Sequence, residues 1–338
     1  MAINVALIGF GTVGSSVYQL IQSRQEKLRV LLGQEIKVTD IVIKNLNKTR
    51  RVAHDVRLTN SFEKVLATER IDVVIEAIVG VEPACTYIEQ ALKQGIPVIT
   101  ANKALFAHKG SVLKHLAEKH QTGIGYEATV AGGIPIIRTL LELMSINHIS
   151  KVEGIFNGTA NYILTDMRVN NRQFAESLKL AQSLGYAELD PDNDIKGIDA
   201  FYKLMILCET IFKQSPEWND VSVTGIDQIT PLDIEVEALR DKRYKLIAEA
   251  QYNSDGSLHA EVGPKLIDNE HPLYGVEGVE NAVTIHSDLL GALTLKGPGA
   301  GGEATASAIF SDLLALFTQN SKSKASDAFK PVTSASNV

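Results

Sequence analysis

Cysteine is nearly missing from this chain of 338 residues: Cys85 and Cys208 are the two, far apart and without metal-ligand spacing. Such a pair builds neither a disulfide framework nor a thiolate metal site, and both thiols are expected to pack as small hydrophobes in a reducing compartment. Positive charge is also in deficit. A net charge of -7 removes the broad basic surface that nucleic acids and anionic membranes require. No apolar run approaches the roughly 20 residues of a membrane-spanning helix. The opening residues Met1-Ala2-Ile3-Asn4 lack the basic stretch and apolar core of a secretory signal. The expectation is a cytoplasmic protein that binds neither membrane nor nucleic acid. Hydrophobic residues, at 45%, suffice to fill a core, and the length admits two domains or one with a large insertion.

What is present begins with alternation. Residues 5–8 are a short apolar run, followed by Gly9-Phe10-Gly11-Thr12-Val13-Gly14 and an amphipathic stretch to about Leu32: strand, glycine turn, helix. Residues 36–43, rich in β-branched side chains, read as a second strand. Residues 71–77 read as a third, apolar almost throughout, as a strand buried on both faces should be. A helix opened by Glu82-Pro83 and closed by Gly95 follows, then a strand at 97–100, a helix at 109–120 and a strand at 123–127. This spacing predicts a doubly wound parallel α/β sheet, Rossmann-like, over residues 1–133.

From Ile134 the rhythm changes. Helices are predicted at 136–144 and in two stretches through about Gln214, with strands at 151–156, 244–252, 257–262 and 282–286. Residues 134–296 thus read as an inserted α+β domain for substrate and assembly, with strands able to form a shared sheet. The run Gly297-Pro298-Gly299-Ala300-Gly301-Gly302 introduces a helix at 305–316, expected to return onto the first domain within residues 297–320. Residues 321–338, small and polar, are expected to be disordered.

A glycine turn alone is weak evidence of a ligand, but one that ends a strand and opens a helix is stronger. Its glycines let the backbone approach a pyrophosphate, and the helix N-terminus offers amide donors and a positive dipole end to that anion. Gly9, Phe10, Gly11, Thr12, Val13 and Gly14 are therefore the expected coenzyme contacts. The second strand ends in Ile43-Lys44-Asn45, without the carboxylate that holds the ribose hydroxyls of NAD, and Lys48, Arg50 and Arg51 follow. Either this is a solvated basic loop or Lys44 and its neighbours receive a 2′-phosphate. The expectation is NADP(H), with NAD as the alternative.

The segment Gly185-Tyr186-Ala187-Glu188-Leu189-Asp190-Pro191-Asp192-Asn193-Asp194-Ile195-Lys196-Gly197-Ile198-Asp199-Ala200-Phe201-Tyr202-Lys203 gathers carboxylates in a turn. It then sets Asp199 and Lys203 one helical turn apart. Alone, that pair would be an ordinary surface ion pair of about 0.2–0.5 kcal/mol. The whole pattern, however, resembles the signature of the homoserine dehydrogenase family. So do, in the expected order, Thr100-Ala101-Asn102-Lys103-Ala104-Leu105, the stretch from Glu127 to Pro135, Asn157-Gly158-Thr159-Ala160-Asn161-Tyr162-Ile163-Leu164, and the closing run from Gly297 to Thr305. The resemblance spans nearly all of residues 3–318.

That resemblance implies NAD(P)-dependent interconversion of L-homoserine and L-aspartate 4-semialdehyde by hydride transfer, in threonine, methionine and isoleucine biosynthesis. It implies a homodimer through the middle domain. Around the reacting oxygen it places Lys203 as acid/base, Lys103 as relay and coenzyme contact, and Asp199 as the group that orients Lys203. Glu188 would take the substrate ammonium; Gly158, Thr159, Gly185 and Tyr186 would surround its carboxylate. Asp194 would join them or cap the following helix. Gly301 would approach the nicotinamide end. Glu127 with the carbonyls of Val130, Gly132 and Ile134 resembles a monovalent-cation (Na+) loop, or is a glycine-rich hinge. Two lysines near one oxygen are expected to depress each other's pKa.

Two departures are visible. Tyr202 stands where many members carry arginine, and the regulatory domain of longer members is not seen, so feedback control by threonine through it is not expected. Other NADP-dependent dehydrogenases of amino acids or semialdehydes share the architecture. A non-catalytic NADP-binding redox sensor would keep the glycine turn but would have no need of Lys103, Asp199 and Lys203 together.

Overall fold

The computed structural model describes residues 2–67, 71–253 and 255–327. Two sheets organise it. The first is wholly parallel and built from β1 (Ala2–Ile8), β2 (Glu35–Val42), β3 (Arg57–Thr59), β4 (Val73–Glu76), β5 (Val98–Thr100) and β6 (Ile124–Gly125) in the order β3-β2-β1-β4-β5-β6. That order, winding outward in both directions from β1, is the doubly wound dinucleotide-binding arrangement. Every residue of β4 and β5 is buried, which is why their sequences carry no alternation.

Helices cover both faces. They are α1 (Thr12–Ser23) and α2 (Gln25–Leu32), then α3 (Phe62–Leu66), α4 (Ala84–Lys93) and α5 (Lys103–Lys119). The amphipathic stretch expected to run unbroken to Leu32 is two helices, interrupted at Arg24, whose backbone leaves the helical region. The helix expected from 109 starts six residues earlier. Asn102 accepts the amide of Leu105 at 3.1 Å and so caps α5 one residue before Lys103. The strand expected at 123–127 pairs only at Ile124–Gly125, and Glu127–Thr129 turn in a 3-10 helix.

The second unit begins at α6 (Ile136–Leu143). It continues with β7 (Ile149–Ile155), α7 (Gly158–Asn170), α8 (Phe174–Ser183), α9 (Asp192–Ile195), α10 (Ile198–Phe212), β8 (Ser222–Val223), α11 (Pro231–Ala238), β9 (Arg243–Tyr252), β10 (Leu258–Ile267), β11 (Glu280–Ser287) and β12 (Gly291–Pro298). Its sheet is mixed, in the order β12-β11-β7-β9-β10-β8, antiparallel except for β8 beside β10. Leu246, Ala248 and Ala250 of β9, with Val283 and Ile285 of β11, join α7 and α10 in the largest buried cluster. β12 was not anticipated, because its exposed and half-buried residues alternate along an edge.

The chain then returns. α12 (Gly302–Asp327) lays Ala306, Ile309 and Leu313 into the core of the first domain beside Val17 and Ile21 of α1. It continues past the expected end: no glycine or proline interrupts residues 303–327, so the helix runs through part of the segment expected to be disordered. The rest of that segment, 328–338, lies outside the described residues. Among the described residues no helix is long and apolar enough to cross a membrane.

Candidate active site

The carboxyl edge of the parallel sheet is where ligands of this architecture bind, and the chain crowds glycine there. Gly9 has φ +99°, and a Cβ on it would lie 2.6 Å from the carbonyl of Ala77. A Cβ on Gly14 would overlap the Gly9 carbonyl, so both glycines are required for the strand, turn and helix to close. Gly11, by contrast, faces open space and caps α1 without a side-chain hydrogen bond. The caps of α3, α5, α7 and α11 all use a side chain. Like those of α2, α4, α6, α9 and α10, the N-cap residue of α1 gives the first amides no side-chain bond, here at the carboxyl edge of the parallel sheet.

Gly301, φ +111°, also faces open space, and Gly302 abuts Ser16 and the Thr12 carbonyl, so α12 starts beside α1. Phe10 and Val13 turn their side chains onto the domain core, leaving their backbone in the turn. Lys44 is exposed just after β2. Arg50 folds back, donating to the carbonyls of Asn45 (2.8 Å) and Lys48 (2.7 Å).

The second part of the site straddles the two domains. Asp199, in the first turn of α10, receives Lys203 Nζ on Oδ2 at 2.8 Å and pairs with Lys103 Nζ through Oδ1 at 2.8 Å. Lys203 also donates to the Phe156 carbonyl at 2.7 Å. Asn157 Nδ2 donates to Asp199 Oδ2 (2.9 Å) and to Asp194 Oδ1 (2.7 Å), while its Oδ1 caps α7. Asp194 therefore belongs to this cluster. It is not the cap of α10, whose N-cap is Gly197 without a side-chain bond.

The electrostatics separate the two lysines. Burial pushes the Lys203 ammonium below its ordinary range, with Lys103 adding to the effect. Lys103, whose side chain is 45% exposed, is pushed up, mainly by the Asp199 charge. The expected mutual depression therefore holds for Lys203 alone, because Asp199 stands between the ammonium groups. Burial opposes ionisation of Asp199, yet Lys203 and Lys103 overcome it and hold the carboxyl well below the usual range. Burial raises Asp194.

Around this cluster, Thr159 Oγ1 donates to the Tyr186 carbonyl at 2.6 Å and clips the carboxylate-rich turn to α7. Gly158 opens α7 so close to Val279 O that a Cβ would lie 2.7 Å away. Gly185 takes φ +77°, and the Tyr186 ring leans on Tyr162. Glu188 is exposed, and its charge acts on Lys103.

Glu127 is committed to α6: its Oε1 and Oε2 accept the amides of Ile137 (2.8 Å) and Arg138 (2.9 Å). The Ile134 carbonyl accepts Ile136 N at 2.8 Å, and Gly132, φ +56°, presses on Gly299. The loop thus caps α6 and links the two domains. Among the described residues no cluster of three His, Cys, Asp or Glu side chains is placed to hold a metal.

Sequence reasoning missed four members. Phe156 contributes only a carbonyl, which no residue type signals. Asn157 and Asn102 each precede a helix, a visible capping pattern, but their second bonds run through space. Glu76, fully buried at the end of β4, accepts Thr100 Oγ1 at 2.5 Å and the amide of Ile78 at 2.8 Å; Asn102 also reaches it. Burial raises its carboxyl to about 7.

Known proteins resemble this chain across both domains. A family model described as homoserine dehydrogenase matches residues 135–314, and one described as homoserine dehydrogenase, NAD binding domain, matches residues 9–127. The chain is 42% identical over 317 residues to the homoserine dehydrogenase of Bacillus subtilis, covering 93% of this chain and 73% of that protein. It is 37% identical over 334 residues to the NAD(+)-dependent homoserine dehydrogenase of Pseudomonas canavaninivorans, covering 92% and 95%. A crystal structure of a homoserine dehydrogenase from Thiobacillus denitrificans superposes with a TM-score of 0.90 at 37% identity, over 95% of this chain and 74% of that one. A hyperthermophilic archaeal homoserine dehydrogenase in complex with NADPH gives 0.81 at 29% identity, over 94% and 98%.

Proposed function

Because the chain belongs to the homoserine dehydrogenase family, we propose that Lys203 moves the proton of its reaction, that Lys103 and Asp199 assist it, and that NADP is its preferred coenzyme. The enzyme is an oxidoreductase acting on a CH–OH group, interconverting L-homoserine and L-aspartate 4-semialdehyde. The observation that carries the residue roles is the single Asp199 carboxylate held between two lysines of unlike pKa, one from each domain.

Gly9, Gly11, Gly14 and Gly301 form a cradle open at two of its glycines, and α1 offers uncapped amides, so a dinucleotide fits the residues present. Bound there, the nicotinamide supplies the hydride acceptor. Lys203, depressed by burial, is the amine able to take the hydroxyl proton as the C–H hydride departs, and its ammonium returns that proton in the reductive direction. Lys103 stays cationic and stabilises charge on the oxygen. Asp199 fixes both. Glu188 suits the substrate ammonium, with Gly158, Thr159, Gly185, Tyr186 and Asp194 around its other end.

NADP over NAD is supported by Lys44 and its basic neighbours in place of a carboxylate after β2. Relatives divide between an NAD(+)-dependent name and an NADPH complex, so the family alone does not choose. The Glu127 carboxylate and the carbonyls of Val130, Gly132 and Ile134 offer only oxygens, which suits a hard monovalent cation. Assembly as a homodimer is proposed through the middle sheet, where β12 is an edge strand. Both cysteines are buried and free, which suits the cytoplasm.

The test is homoserine-dependent reduction of NADP and NAD by the purified enzyme, alone and as Lys44→Ala and Lys203→Ala. The variant Lys44→Ala should erase any preference for NADP. A Lys203→Ala enzyme that binds coenzyme and still turns over at the wild-type rate removes the proton-transfer assignment.

A further inference from the structure

The carbonyl of Phe156, just beyond β7, accepts two side-chain donors. Lys203 Nζ approaches at 2.7 Å and Asn281 Nδ2 at 2.8 Å. A carbonyl oxygen has two lone pairs, so these donors exhaust it. Asn281 lies on β11, 1% exposed, and is wedged so tightly against Gly299 that a Cβ on that glycine would overlap its amide. Its Oδ1 is buried without a hydrogen-bond partner among the described residues. An orphaned buried acceptor is unfavourable and calls for an explanation. Packing alone would be served by an apolar side chain; what asparagine adds is one N–H aimed at the oxygen that holds the lysine.

The geometry points to Asn281 as a positioning residue for the reaction: by sharing the Phe156 carbonyl with Lys203, it fixes the direction of the amine and keeps that amine ready to accept a proton. The inference rests on the proton-transfer role given above to Lys203. An ammonium gains more from a carbonyl acceptor than a neutral amine does. A second N–H on the same oxygen takes part of that stabilisation away and brings the positive end of its dipole near Nζ. The charged groups facing Lys203 are Asp199 on its own helix, Lys103 at the start of α5 and Asp194 on α9. Asp199 and Asp194 favour the ammonium, Lys103 opposes it, and Asn281 sides with Lys103.

The experiment is the pH dependence of kcat for homoserine oxidation in the wild type, Asn281→Leu, Asn281→Asp and Lys203→Met. The rising limb should move to higher pH by about half to one unit in Asn281→Leu, the size of one hydrogen bond. It should stay in place in Asn281→Asp, whose buried carboxyl faces a carbonyl oxygen, is therefore held neutral and donates its O–H in place of the amide. The KM for coenzyme should not change. A limb that stays in place in a folded Asn281→Leu, judged by an unaltered melting temperature, overturns the proposal. If the leucine variant melts early, Asn281→Ala, which removes the same donor without adding bulk, decides the matter by the same criterion. Turnover surviving in Lys203→Met overturns the role of Lys203 itself, whatever Asn281 does.

Discussion

A carboxylate that faces two ammonium groups has one oxygen for each, and Asp199 spends both that way. Replacing it by asparagine should remove the main charge that raises Lys103 and leave only Asp194 to offset the repulsion of Lys203 by Lys103. We expect kcat to fall by about 100-fold or more in Asp199→Asn, the usual scale of a lost proton-transfer arrangement, with a smaller effect on KM. Steady-state kinetics in both directions would measure it. Because burial lowers Lys203, homoserine oxidation should rise with pH as its ammonium loses the proton, and semialdehyde reduction should fall over the same interval. Glu76 has the opposite sign of shift, from an ordinary 4.5 up to about 7. Its contribution to stability is complete below the ordinary value and disappears as pH climbs through about 7. The melting temperature of the wild type should therefore drop relative to Glu76→Gln between pH 5 and pH 8. Parallel curves would show that burial does not raise the Glu76 carboxyl in the folded protein.

Helix ends decide where these side chains stand. Asn102 caps α5 and so makes Lys103 a helical residue; Asn102→Ala should cost about 1 kcal/mol of stability and lower kcat as well, since Lys103 then loses its anchor. Denaturant titration and turnover would separate the two effects. Gly301 meets nothing within 4 Å at φ +111°. A valine there should weaken coenzyme binding at least about tenfold through strain and lost space. Fluorescence titration of the reduced coenzyme would read it, and undiminished affinity would place Gly301 away from the coenzyme.

These elements were unevenly legible. Period and punctuation revealed β1, α1, β4 and β5, because a buried parallel strand and a glycine turn are local facts. β3 and α3 are too short to show a period, and β12 hid behind an edge pattern. The pairing of Asp199 with Lys203 was legible from their spacing. Its extension to Lys103, 96 residues away, followed only from the family resemblance, and the Phe156 carbonyl was not legible at all, since contacts between residues distant in sequence leave no local trace.

Seen as a molecule, the site exists only where the two domains meet, with Lys103 from one and Asp199 and Lys203 from the other. The last helix is part of this arrangement too: α12 places Gly301 and Gly302 beside the start of α1 and fills the first core with Ala306, Ile309 and Leu313. During synthesis the glycine turn emerges from the ribosome before the middle domain, and the helix that completes its surroundings emerges after it. The nascent first domain must wait, with the apolar flank of α1 bare, while the whole middle domain is made. A chain halted before Gly302 should therefore bind a chaperone and not coenzyme, and release of α12 from the exit tunnel should be the step that commits the enzyme to its native state.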